Sequence, residues 1–155
     1  MARRFWLMKS DPDTFGWGDL EKAPGQTTVW DGIRNYQARN TLRDDVRIGD
    51  GVLFYHSQAD KSVVGTATIA RAGFPDPTQF DRKHPGFDPK SKSDAPTWYA
   101  VEIKLERAFR TPVGLEALRS TPGLEGMLLL KRGMRLSVMP VTKEEWAIVT
   151  RLGGK

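Results

Sequence analysis

The chain has 155 residues, 39% hydrophobic and 28% charged, with a net charge of +5; this composition indicates one globular domain, residues 1–155, and excludes disordered and fibrous classes. It contains no cysteine and two histidines, which excludes disulfides and cysteine-ligated zinc, so we expect neither a metal nor a cofactor. The basic balance, with a pI of about 9.6, favours a polyanionic partner such as nucleic acid.

No apolar run approaches the roughly 20 residues that span a bilayer, and the apolar stretch near the N-terminus is too short for a secretory signal. We therefore expect a cytoplasmic protein with no membrane partner, and a monomer.

The first half of the chain predicts three strands and a helix. Residues 4–9 (RFWLMK) form an aromatic and aliphatic run that Ser-Asp-Pro stops, which predicts a buried strand. A short helix is predicted over residues 35–43. Residues 51–56 (GVLFYH) predict a second buried strand, and residues 62–71 predict its antiparallel partner in a hairpin.

Residues 73–97 contain five prolines and no helix or strand period, which predicts a long loop held to the body by Phe74, Phe80 and Phe87. The next segment, TWYAVEIKLER, alternates cleanly and predicts a half-buried antiparallel strand.

The last third predicts two helices and a strand. One helix is expected around residues 115–120. Residues 134–141 predict a last strand, whose Pro140 favours an edge position. A T-x-x-E capping box at residues 142–145 then opens a short helix, with Trp146, Val149 and Leu152 expected on one face. The whole pattern predicts a strand-dominated α+β fold, a small barrel or sandwich with short peripheral helices.

Motifs for catalysis are missing. His56 and Ser57 are adjacent at a strand end and point in different directions, and no nucleophile-elbow pattern surrounds the serine. The aspartates of the proline-rich loop match no metal-binding spacing and are typical of turns. No glycine-rich phosphate loop is present. We therefore expect that the protein is not an enzyme.

Polar and aromatic residues cluster instead at the predicted strand ends. If these ends meet, they would line a mouth beside Trp30, and an indole with polar neighbours suits a flat heteroaromatic ring. The alternative is that Trp30 and Tyr55 are core residues and Ser10 a turn residue. The strand-end residues are Lys9, Ser10, Tyr55, His56, Ser57, Arg135 and Ser137.

The helix over residues 35–43 would place Asn35, Arg39 and Arg43 on one outward stripe, with Ala38 and Leu42 facing inward. Together with Arg34, the two arginines of the stripe could bind phosphates. The alternative is that surface acids such as Asp44 and Asp45 neutralise them in exposed ion pairs.

Several motifs, taken in order, resemble the EVE domain family, including its bacterial single-domain members, and the resemblance runs nearly end to end. The W-D-G-x-R-N-Y-Q-A-R-N string is its most specific element. The motifs are FWLMKSDPDTF, VWDGIRNYQARNTLR, IGDGVLFYHS, VVGTATI, PDPTQFD, FDPKS and RLSVMPVTKEEWAIV.

The resemblance implies a PUA-like β-barrel that binds nucleic acid carrying a modified base, notably modified cytosine in DNA, turned out into an aromatic-walled pocket. It places Lys9 and Ser10 of M-K-S-x-P, Trp30, Asn35 and Asn40 of the W-D-G string, the Tyr55-His56-Ser57 element, and Arg135 and Ser137 of R-L-S-V at that pocket. The family usually has S-E-P where this chain has Ser10-Asp11-Pro12, so the acid reaches about one carbon–carbon bond less far.

Two alternatives stay open at this stage. One is a reader of modified RNA on the same fold, where single strands and the 2′-hydroxyl would matter. The other is a nucleoside or small-molecule enzyme that uses His56 in the same pocket.

Overall fold

The computed structural model describes residues 3–58, 60–132 and 136–154. The strands are β1 (Phe5–Ser10), β2 (Thr27–Trp30), β3 (Gly51–His56), β4 (Ser62–Pro75), β5 (Tyr99–Gly114) and β6 (Val138–Val141). The helices are α1 (Trp17–Lys22), α2 (Tyr36–Asn40), α3 (Leu115–Ser120) and α4 (Lys143–Gly153). Within the described ranges, no helix is long and apolar enough to cross a membrane.

The strands form one mixed sheet in the order β2-β5-β4-β3-β1-β6, so the fold is strand-dominated α+β. The predicted β3–β4 hairpin is confirmed as an antiparallel pair, whereas β1 and β3 pair in parallel. The ends of the order are β2 and β6, and no pairing joins them in the part of the chain that the structure describes. Closure into a barrel is therefore not confirmed: the sheet is open.

Both faces of the sheet are covered, which explains the unbroken apolar runs of β1 and β3. Successive side chains of a strand point to opposite faces. Phe54 accordingly joins one hydrophobic cluster, together with Trp17 and Trp30, while Leu53 and Tyr55 join a second cluster under α3 and α4.

The helix predicted around residues 115–120 and the helix predicted after the capping box are both present, and the capping box is confirmed. Glu145 N–H donates to the Thr142 hydroxyl at 3.1 Å, and Thr142 N–H donates to the Glu145 carboxylate at 2.9 Å. Val149 is fully buried, but Leu152 is 40% exposed, so its place on the inward face was wrong. Gly153 takes that place, because a spacing of three residues drifts around a helix of 3.6 residues per turn.

The last strand is shorter than predicted. Pro140 lies in edge strand β6, as expected, but β6 begins at Val138, and residues 134 and 135 of the predicted strand lie outside the described ranges. Helix α1 and the four-residue strand β2 have no counterpart among the predicted elements.

Buried polar side chains help to anchor the segment over residues 73–97; of the three predicted phenylalanines, Phe74 and Phe87 are partly buried. Strand β4 runs on to Pro75, and a 3-10 turn follows over Pro77–Phe80. Asp76 and Gln79 are fully buried, whereas Phe80 is exposed. The Gln79 amide donates to the carbonyls of Asp76 and Trp98 and accepts from Trp98 N–H, each at 2.8–2.9 Å.

Candidate nucleic-acid interface

A cleft of about 520 Å³ opens where β1 and β2 end, and its volume lies in the usual range for a small-molecule site. Of the predicted pocket residues, the structure brings four to this cleft: Lys9, Ser10, Trp30 and Ser137. The remaining lining residues are Asp11, Thr14, Phe15, Thr28, Val29, Asp31, Gly32 and Ile33.

Trp30 is at once a core residue and a wall of the cleft. It ends β2, is 8% exposed, and packs edge-to-face on Phe54, with ring centroids 5.5 Å apart and an interplanar angle of 88°. Edge-to-face contact is a favoured aromatic geometry, and it fixes the orientation of the indole. The two readings of Trp30 are therefore compatible.

The end of β1 forms the opposite rim. The Ser10 hydroxyl donates to the Phe15 carbonyl, and the Ser10 carbonyl accepts from both the backbone N–H and the hydroxyl of Ser57. Lys9 N–H donates to the Ser137 carbonyl at 2.8 Å, which brings Ser137 to the cleft. Desolvation lowers the pKa of Lys9, as expected for an amine in a partly dry cleft.

A buried carboxylate holds the turn that follows Trp30. Asp76 accepts from Gly32 N–H at 2.8 Å and from Arg34 Nη1 at 3.0 Å through Oδ2, and from the backbone and hydroxyl of Thr78 through Oδ1. Burial alone would raise the pKa of Asp76, but these hydrogen bonds together lower it. The turn needs glycine, since Gly32 has a φ of +79°.

Asp31 lies between Trp30 and Gly32 in the chain and lines the cleft. Desolvation and the nearby charge of Asp76 raise the pKa of Asp31. The sequence did not single out Asp31, because Asp-Gly is also a common turn signal and a turn role already explained the residue.

Arg34, which the sequence suggested as a phosphate-binding residue, makes most of its contacts within the protein. Its guanidinium donates to Asp76, to the Thr78 hydroxyl at 3.1 Å and to the Gly86 carbonyl at 2.6 Å, and it lies over the Trp98 ring. These partners occupy the donors that a phosphate would need.

Asn35 and Asn40 lie at the two ends of α2 and, contrary to expectation, do not line the cleft. Asn35 is the helix N-cap and accepts from Ala38 N–H at 3.0 Å. Asn40 accepts from Arg39 Nε at 2.8 Å. Asparagine favours helix caps and turns because its side chain can hydrogen-bond nearby backbone groups.

The predicted outward stripe of arginines is present in part, with Ala38 and Leu42 fully buried: Arg43 is exposed and Arg39 partly exposed, but Arg43 lies in the π-helical turn Thr41–Asp45 that follows α2. Arg39 also donates to the Thr97 carbonyl at 2.6 Å, and Arg43 forms a two-pronged ion pair with Asp44 at 2.8 and 2.9 Å. The side chains of that pair are both exposed, so the pair is worth little and can open towards a phosphate.

Tyr36 is a surface candidate that sequence reasoning missed. It is 62% exposed, its ring lies 5.0 Å from that of Trp98, and the Arg39 guanidinium lies 5.2 Å from its centroid. An exposed ring braced in this way is a stacking surface. Its signal in the sequence is an aromatic residue on the polar side of a short helix.

Tyr55 and His56 do not join the cleft, so the predicted single mouth was wrong for both. Tyr55 is buried in the cluster on the other face, because it lies one residue from Phe54 along β3. His56 lines a separate cavity of about 480 Å³; its Nε2 accepts from Trp17 N–H, and its Nδ1 lies 3.0 Å from Asp60. Arg135, the last predicted pocket residue, lies outside the described residues.

The loop aspartates act as turn residues. Asp81 accepts from Lys83 N–H at 3.0 Å, and Asp88 accepts from Lys90 N–H at 2.9 Å. Within residues 3–58, 60–132 and 136–154, no group of three potential metal ligands comes together.

Known proteins resemble this chain along nearly its whole length. The family model "EVE domain" matches residues 4–152. Human thymocyte nuclear protein 1 is 39% identical over 97% of this chain and 74% of its own. A crystal structure from Pseudomonas syringae is 41% identical, with a TM-score of 0.89, over 96% of this chain and 99% of that one.

A further match is the crystal structure of human THYN1 protein in complex with 5-methylcytosine-containing DNA. It is 38% identical, has a TM-score of 0.90, and covers 98% of both chains. The sequence motifs, the family model and the fold agree, and this chain belongs to the EVE domain family.

Proposed function

We propose that this protein is a non-catalytic reader of nucleic acid that holds one flipped, modified base in the cleft beside Trp30, with modified cytosine in DNA as the first candidate. The main observation behind this proposal is that an oriented indole, the Asp31 carboxylate and the end of β1 line the same cleft. The human relative crystallised with 5-methylcytosine-containing DNA supports the choice of ligand.

Asp31 would supply base identity. The exocyclic N4 amine of cytosine is a donor that a carboxylate accepts, whereas thymine has an acceptor oxygen at the same position. 5-Methylcytosine and thymine carry the same methyl group, so a pocket that sensed only the methyl could not separate them. A carboxylate that lines the cleft would make that distinction.

Arg39 and Arg43 would hold the nucleic-acid backbone on either side of the flipped base. The exposed ring of Tyr36 would lie between the nucleic-acid strand and the protein. Phosphate contacts position the nucleic acid and carry no sequence information. Each contact contributes about one unit to the salt dependence of binding, so Arg39→Gln and Arg43→Gln should weaken binding of all probes alike and reduce the salt slope by about one unit each.

The test is a fluorescence-anisotropy titration of oligonucleotides that differ at one position: cytosine, 5-methylcytosine, 5-hydroxymethylcytosine or thymine. We expect a preference for one modified cytosine. Trp30→Phe should reduce that preference, since base–aromatic stacking is worth about 1–3 kcal/mol. Asp31→Asn should admit thymine, because an amide can donate as well as accept.

Indistinguishable binding of the four probes by the wild-type protein would overturn the proposal. Tighter binding of the matching RNA probes would reassign the cleft to modified RNA. The enzyme alternative has weaker support, since His56 lies in another cavity with both ring nitrogens engaged; turnover of a modified nucleoside, abolished by His56→Ala, would restore it.

A further inference from the structure

Another cavity lies on the face of the sheet opposite the Trp30 cleft. It has a volume of about 650 Å³ and opens where α4 crosses β4 and β5. Trp146 and Phe109, two of its lining residues, pack against the second hydrophobic cluster, whereas Trp30 belongs to the first. The cavity and the proposed base cleft are therefore separated by the sheet.

The cavity carries excess positive charge. Arg3 is paired with Glu106 at 3.0 Å, but Arg107 and Arg151 have no carboxylate within 4.0 Å in the part of the chain that the structure describes. The planar guanidinium fork binds phosphate oxygens in pairs, with better geometry than a lysine. Two such forks at one cavity favour a phosphate group over a carboxylate-sized monoanion.

A buried hydroxyl also points to a ligand. Thr66 lines the cavity and is 3% exposed, yet its hydroxyl makes no hydrogen bond within the described residues. The hydroxyl is not fully shielded from solvent: among the described residues, the side-chain polar atom that is both fully buried and without a hydrogen-bond partner is Trp17 Nε1. Buried polar groups nearly always have a partner, so this hydroxyl is available to a group entering the cavity.

Strand pairing brings Thr66 and Arg107 to the same face of the sheet. Thr66 pairs with Arg107, and the β4–β5 register shifts on both sides of that pair. Such bulges are common beside binding sites because they turn a side chain out of the regular alternation. Thr66 and Arg107 thus reach the same cavity from adjacent strands.

From these observations we propose that this cavity is a second binding site, for a phosphate monoester the size of a nucleotide. Arg107 and Arg151 would bind the phosphate, the Thr66 hydroxyl would donate to it, and the rings of Trp146 and Phe109 would contact the base. A free nucleotide and the phosphorylated end of a nucleic acid both carry this group, and the experiment separates the two sources.

The protein is titrated with adenosine 5′-monophosphate, with adenosine and with inorganic phosphate, and followed by ¹H–¹⁵N NMR and calorimetry. We expect the monophosphate to shift the Trp146 indole signal and the amides of residues 147–151, and to leave the Trp30 indole signal in place. Adenosine should bind at least tenfold more weakly, because the two charge-assisted contacts are lost. A 5′-phosphorylated oligonucleotide and its 5′-hydroxyl counterpart identify the nucleic-acid source if only the phosphorylated form competes.

Arg107→Gln and Arg151→Gln should each weaken the monophosphate by about tenfold. Arg119→Gln is the matched control: it removes the same charge from an exposed position on α3 that does not line the cavity. Thr66→Val keeps the buried volume and should also weaken binding. Absence of binding at millimolar ligand, or equal binding by the Arg107, Arg151 and Arg119 variants, would overturn the second site.

This site does not depend on the proposed function of the Trp30 cleft. Trp30→Phe should leave monophosphate binding unchanged while it reduces base preference. Loss of monophosphate binding in that variant would show that the ligand occupies the Trp30 cleft and would refute the second site.

Discussion

Replacing Asp76 with asparagine tests whether one buried carboxylate holds the turn after Trp30. Its two oxygens accept four hydrogen bonds, two from the Gly32–Arg34 side and two from Thr78. An amide keeps one acceptor oxygen and turns an NH₂ group towards the other pair of donors. In the less costly orientation the oxygen stays with Gly32 and Arg34, and the NH₂ group faces the Thr78 N–H.

The magnitude follows from those contacts. A buried N–H left without an acceptor costs about 1–3 kcal/mol, and a hydrogen bond to a charged group contributes about 1.5–3 kcal/mol. The variant also leaves the partly buried Arg34 without its counter-ion, and breaking a buried pair costs about 3–5 kcal/mol. We therefore expect Asp76→Asn to lower the free energy of unfolding by about 3 kcal/mol.

Urea denaturation measures this change, with Asp81→Asn as the control. Asp81 is also a loop aspartate, but it is exposed and accepts from Lys83 N–H, so its replacement should cost less than about 1 kcal/mol. A cost below about 1 kcal/mol for Asp76→Asn would refute the reasoning that this carboxylate carries the turn.

The pH dependence gives a second readout of the same residue. The folded-state pKa of Asp76 lies below its ordinary value, so the ionised form favours folding above the unfolded-state pKa of about 3.9. That contribution is lost as the pH falls through the folded-state pKa. The wild-type protein should thus lose more stability than Asp76→Asn on acidification below about pH 4.

Four further substitutions have expected outcomes that thermal or urea unfolding can check. Thr142→Ala removes the α4 N-cap and should cost about 1 kcal/mol, whereas no change would indicate that the cap is redundant. Gly153→Ala would place a Cβ 2.4 Å from the Phe109 ring and should cost about 1–3 kcal/mol, while Gly18→Ala, with open space around its Cβ, should be neutral or stabilising by up to about 1 kcal/mol. Asp31→Asn should raise stability at neutral pH by no more than a few tenths of a kcal/mol: burial and the nearby charge of Asp76 raise the pKa of Asp31 and disfavour its ionised form, but solvent screens an exposed side chain; a clear loss of stability would contradict this.

Local sequence patterns predicted most of the regular structure. Residues 51–56 and 115–120 form the expected strand and helix within the same bounds, and the capping box of α4 has both of its hydrogen bonds. These features depend on neighbours within four or five positions, so the sequence encodes them directly. Strand β2 was missed because four residues provide too little alternation to recognise.

The candidate site was predicted in part. Lys9, Ser10, Trp30 and Ser137 do meet in one cleft, as the strand-end argument and the EVE motifs implied. Alternation along a strand indicates which residues share a face, but it does not indicate which face a given ligand site will occupy. For that reason Tyr55, which precedes two polar residues at a strand end, was placed at the cleft and in fact packs on the opposite side.

By itself, the sequence determined the family, most of the strands and helices, and the position of a tryptophan beside a tight turn, because each depends on short-range patterns or on a specific motif. Only the tertiary structure shows that Asp76 accepts hydrogen bonds from Gly32, 44 residues away, and from Arg34. It also shows that Thr66, Arg107 and Arg151 line one cavity. Such contacts join residues far apart in the chain, and their identity follows from strand order and register, which a local pattern does not contain.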